Sequence, residues 1–109
     1  MLNYTEMFVN GLGYLIKIDE DKNLYVLTKS FKKVKVYEYE ADEDKFTFDL
    51  IGQYNADEIF DNIDVDIDEE RLYNTHIIIR EEYGYDDKEV RERAKEELAQ
   101  YTEELITQL

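Results

Sequence analysis

The chain has 109 residues, 43% of them apolar, and sets 28 Asp and Glu against 13 Lys and Arg for a formal net charge of -15. That length suits one domain spanning residues 1–109 with a modest core, and no apolar run reaches the ~18–20 residues of a membrane span. Cys, Pro and Trp are absent, which excludes disulfides, thiolate nucleophiles and Cys-based zinc sites.

Residues 1–12 admit two readings. Asn10-Gly11 is a hairpin signal, and Gly11 equally suits the end of a short helix begun near Asn3. Gly13–Ile18 reads as a strand with Tyr14, Ile16 and Ile18 on one face. Asp19–Asn23 is a polar turn, and Leu24–Thr28 a second strand. Val34–Glu40 makes a third strand and Lys45–Ile51 a fourth, with Phe46, Phe48 and Leu50 alternating. Ala41-Asp42-Glu43-Asp44 links the last two, and the spacings suit an antiparallel meander.

The third strand breaks its own pattern. Val34 and Val36 share a face with Glu38 and Glu40, whereas Tyr37 and Tyr39 share one with Lys33 and Lys35. A bulge near Val36-Tyr37 restores a single apolar face; without it two tyrosines lie exposed beside acids.

Asn55–Ile63 is expected to be a short helix capped by Asn55, with Ile59, Phe60 and Ile63 buried. Asp64–Asp68 alternates acid and aliphatic as an extended segment, and Thr75–Arg80 reads as a buried strand. Asp86 caps a helix from about Asp87 to Thr107, with Glu89 at the capping-box position. Its stripe is Val90, Ala94, Leu98, Tyr101, Leu105 and Leu109. The expected class is α+β: an antiparallel sheet of four or five strands with a short middle helix and a long C-terminal amphipathic helix.

The acid is concentrated. Residues 1–35 carry net +2, residues 36–70 net -13 and residues 71–109 net -4. Solubility asks only for a magnitude of about 2–8 in a small domain, and self-repulsion opposes compaction. The middle third therefore calls for a function that uses its field.

Catalytic constellations do not assemble. His76 is the only histidine and Ser30 the only serine. Gly11-Leu12-Gly13 lacks the Lys-Ser/Thr of a phosphate-binding loop. A calcium loop starting at Asp64 needs Gly and Glu where Glu69 and Thr75 stand. No enzyme, cofactor or metal site is expected. Lys29, Lys32, Lys33 and Lys35 form one basic cluster, read as counter-charge to the acids that follow, because a chain at -15 is repelled by phosphate. Direct binding of nucleic acid is not expected, nor is a membrane partner. Met1–Glu6 shows neither the basic nor the apolar region of a secretory signal, so a cytoplasmic location is expected, the host cytoplasm for a phage protein.

The expected partner is a basic surface on another protein. The partner-binding candidates are Glu38, Glu40, Asp42, Glu43, Asp44, Asp49, Asp57, Glu58, Asp61, Asp64, Asp66, Asp68, Glu69 and Glu70, with Tyr37, Tyr39 and Tyr54 supplying contact area beside them. Carboxylates at i and i+2 of an extended chain stand ~6.6–6.8 Å apart, about the spacing of phosphates along a strand. A basic nucleic-acid cleft attracts such rows. Composition, size and charge resemble those of phage and mobile-element inhibitors of host defence nucleases, the anti-CRISPR and anti-restriction proteins; the likeness is one of class. It implies a nucleic-acid mimic acting on a defence nuclease. An immunity protein or antitoxin against a toxic nuclease, and an accessory protein with a solvated acidic face, are the alternatives. The oligomeric state stays open.

Overall fold

The computed structural model describes residues 3–42, 45–56, 58 and 88–109. The chain is α+β, with a four-stranded antiparallel sheet in the order β1-β2-β3-β4. The strands are β1 (Tyr14–Ile18), β2 (Leu24–Leu27), β3 (Lys33–Ala41) and β4 (Phe46–Asn55). A short helix α1 (Tyr4–Glu6) runs into a π-helical turn, Met7–Leu12, ahead of the sheet, and helix α2 (Lys88–Ile106) follows it. The readings placed on Asn62–Asp87, including the Asp64–Glu70 row, His76 and the Thr75–Arg80 strand, lie outside the described residues, as does most of the expected middle helix.

Of the two readings of this segment, the helix holds: Tyr4–Leu12 is helical throughout. Asn3 Oδ1 accepts from the amides of Thr5 at 3.1 Å and Glu6 at 3.3 Å, which satisfies donors that a helix start leaves open. The helical segment ends at Gly13, two residues beyond the expected Gly11. Gly13 has φ 133° and its amide donates to the Phe8 carbonyl, and only glycine takes that backbone without strain.

The β1–β2 turn follows from its acids. Asp19 Oδ1 accepts from the amides of Asp21 at 2.9 Å and Asn23 at 2.8 Å, so one side chain closes the loop. Between β2 and β3, Phe31 adopts φ 63°, a conformation costly for a bulky residue. Burial against Tyr14, ring centroids 5.9 Å apart, offsets it.

Burial occurs on both faces of the sheet. One cluster joins Tyr14, Ile16, Leu27, Phe31 and Val34 to Ala56 and to Ala94 and Leu98 of α2. The other joins Phe8, Leu15, Leu24, Val26 and Tyr37 to Tyr101 and Leu105 of α2. The register pairs Leu27 with Val34 and Leu24 with Tyr37, and Leu24 and Leu27, three apart, point to opposite faces. Thus Val36 and Tyr37, neighbours in sequence, are both buried. The expected bulge does fall between them, but its extra residue is Ile51 on β4: Val36 pairs with Gly52 and Tyr37 with Leu50.

β1 shows the same two-sided burial. Tyr14, Leu15 and Ile16 are buried in succession, and a register shift between Leu15 and Lys17 sends Ile18 to the Leu15 side, not to the Tyr14 side expected from alternation. α2 packs on β1, the outer strand of the sheet. Its fully buried Thr102 donates its hydroxyl to the Leu15 carbonyl at 3.2 Å, satisfying a backbone group that an edge strand leaves open. The α2 stripe is buried at Ala94, Leu98, Tyr101 and Leu105, as its helical period requires.

Candidate functional site

β3 and β4 form a long hairpin whose far half carries four of the middle third's acids, Glu38, Glu40, Asp42 and Asp49. Glu38 lies directly opposite Asp49, and Glu40 opposite Thr47. Glu38, Glu40 and Asp49 therefore share one sheet face, and all three are exposed. Asp42 is exposed at the hairpin tip, where its amide donates to the Lys45 carbonyl at 2.8 Å. Adjacent strands lie ~4.7–4.9 Å apart, so the two strands present a compact carboxylate patch. Like charges directly opposite destabilise a sheet. Glu58 is also exposed. The candidates Glu43, Asp44, Asp57, Asp61, Asp64, Asp66, Asp68, Glu69 and Glu70 fall outside the described residues.

The opposite face of the hairpin is aromatic. Phe48 meets Tyr37 edge-on at 6.5 Å, stacks on Tyr39 at 6.5 Å and meets Phe8 edge-on at 5.7 Å. Phe46 lies 4.3 Å from Tyr4. These contacts correct one expectation. Tyr37 is 9% exposed and belongs to the core, so it offers no surface to a partner. The register turns its side chain toward Leu24 and the α1 side, away from Glu38. Tyr39 is half-buried, and Tyr54 stays exposed at 45%.

The fourth strand is longer than its alternation suggested, running on through Gly52–Asn55. Asn55 ends it directly before Ala56, which is helical, and its Oδ1 accepts from Lys33 Nζ at 2.6 Å. Lys29 Nζ donates to the Asn10 carbonyl. These two lysines thus meet neutral oxygens.

Burial raises the phenol pKa of Tyr4, Tyr14, Tyr25 and Tyr37, with weaker help from the Glu92 charge at Tyr14 and from Asp19 at Tyr25. A raised folded pKa favours the neutral phenol, so this stability is whole below the ordinary value of about 10 and is lost as pH climbs through the folded values. The melting midpoint is expected to drop once pH passes about 10, and Tyr37→Phe to shrink that drop. Thermal scans beside phenolate absorbance check it; a drop of the same size in Tyr37→Phe assigns the alkaline loss elsewhere.

Among the described residues no cluster of three or more His, Asp or Glu has metal-binding geometry, and no helix is long and apolar enough to cross a membrane. No family model, curated protein or solved structure matches the chain.

Proposed function

We propose that this chain is an acidic inhibitor that occupies the basic nucleic-acid cleft of another protein, as a nucleic-acid mimic of the anti-CRISPR or anti-restriction type acting on a host defence nuclease. The observation that carries the reading is the Glu38–Asp49 cross-strand pair with Glu40 beside it on one exposed face. The arrangement costs folding stability, and a basic cleft returns it on binding: charges desolvated against such a cleft cost about 2–5 kcal/mol when truncated. The role uses no catalysis, metal or cofactor, and it places the protein in the cytoplasm with its target.

The test is capture from the lysate of the natural host on the tagged chain. A nucleic-acid-binding protein should be retained, and a DNA or RNA oligonucleotide should displace it. Glu38→Gln, Glu40→Gln and Asp49→Asn together should abolish capture while stabilising the fold by about 0.2–1 kcal/mol. Glu92→Gln, Glu96→Gln and Glu103→Gln, exposed on α2, should leave capture intact. Equal loss in both sets, or capture that no oligonucleotide competes, sinks the mimic reading.

A further inference from the structure

The two edges of the sheet are treated differently. α2 covers the β1 edge, whereas among the described residues no strand pairs with the outer edge of β4. Open edges are ordinarily blunted by Lys, Pro or a bulge. β4 has no Lys and no Pro, and Asp49 is its single charge. Its bulge at Ile51 leaves Phe46–Leu50 as a regular stretch. Leu50 and Ile51 are 53% and 52% exposed, an apolar site on a chain otherwise dominated by acid.

The register says what fits there. Thr47 and Asp49 lie on the face of Glu38 and Glu40; Phe46, Phe48 and Leu50 lie on the face of Tyr37 and Tyr39. A strand added ~4.7–4.9 Å outside β4 would set alternate side chains beside these two rows. On one face they meet Asp49, with Glu38 and Glu40 one strand further in. On the other they meet two aromatics and a leucine. The complement is a strand in which Lys or Arg alternates with apolar residues. A second copy would instead bring together two chains of -15, and like charge opposes that.

We infer that the β4 edge at Phe46–Leu50 is a β-augmentation site for an extended segment of a partner protein in which basic and apolar residues alternate. The inference rests on the proposed basic partner and names the element by which that partner is gripped.

The probe is the peptide acetyl-Val-Lys-Val-Lys-Val-Lys-Val-amide, in three forms: unmodified, N-methylated on its valines and N-methylated on its lysines. Alternate amides of a strand face the same edge. One methylated form should therefore bind like the parent, and the other about tenfold or more weaker. Amide shifts should centre on Phe46–Leu50. Leu50→Lys should weaken the parent peptide by about tenfold with the circular dichroism unchanged.

Four results overturn the inference. Both methylated forms bind alike, which is attraction by charge alone; no form binds at millimolar peptide; the shifts lie away from β4; or the outer β4 amides are already protected in the free protein, by a second copy in sedimentation or within the monomer. Capture of the host protein separates this inference from the mimic reading. If Leu50→Lys still captures while the Glu38, Glu40 and Asp49 set does not, the edge inference falls and the cleft reading stands. If the peptide adds to β4 while that acid-neutral set still captures, the cleft reading falls and the edge stands.

Discussion

Gly13→Ala is expected to destabilise the fold by about 2–6 kcal/mol, adding backbone strain of ~1–3 to displacement of packed neighbours of ~1–3. The position has φ 133° and ψ -142°, a region that residues with a side chain scarcely enter. A Cβ there would drive into the Leu27 carbonyl oxygen, with Leu27 C at 3.1 Å and Thr28 Cα at 3.2 Å. All three atoms are backbone of β2 or the turn after it, so no rotamer change relieves the clash. Gly13 also joins the N-terminal helix to β1 through its bond to Phe8. Domains of this size hold about 5–15 kcal/mol in total, and self-repulsion at -15 draws on that margin. Gly11→Ala is the control: nothing lies within 4 Å of its Cβ position, and alanine in a helical turn is worth about 0.5–1 kcal/mol over glycine. Urea unfolding of both variants checks the contrast. A Gly13→Ala midpoint equal to that of the parent chain would mean that the helix–β1 junction is built differently.

Phe8→Ala is expected to cost about 3–5 kcal/mol, the range for emptying a fully buried aromatic site. Phe8 has no exposed surface and meets Phe48 edge-on at 5.7 Å. It ties the π-helical turn to Leu15, Leu24, Val26 and Tyr37 of the sheet and to Tyr101 and Leu105 of α2. Its removal therefore opens a cavity where three elements meet, and the backbone around it is pinned by the sheet ladder and cannot collapse inward. Phe8→Leu, which keeps much of the volume, should recover more than half of the loss. Denaturant melts of the two variants decide it: a loss below about 1 kcal/mol in Phe8→Ala would show that the N-terminal helix is not needed to cover this face.

Local chemistry alone determined much of this chain. Short apolar-rich runs separated by polar turns marked β1 to β4, and their spacing the antiparallel order. Asp19 and Asn23 announced the first hairpin turn. The four-residue spacing of Ala94, Leu98 and Tyr101–Leu105 marked the face of α2 that is buried. The acids of the hairpin were equally plain, because carboxylates on a solvated strand have nowhere else to go.

What the sequence left open is which side of each strand meets a covering element. A period of two separates two faces without saying that both are covered. Tyr14, Leu15 and Ile16 are buried in succession because α2 lies along the β1 edge and feeds one cluster from Ala94 and Leu98 and the other from Tyr101 and Leu105. That placement depends on contacts across more than eighty residues, such as Thr102 to Leu15. Tyr37 joins the core cluster that includes Tyr101 and Leu105, and the β3–β4 pairing puts the bulge on Ile51 and sets Glu38 opposite Asp49. Local sequence determines how a strand alternates; register and coverage belong to the partner strand and the packed helix, and those exist only once the chain has folded.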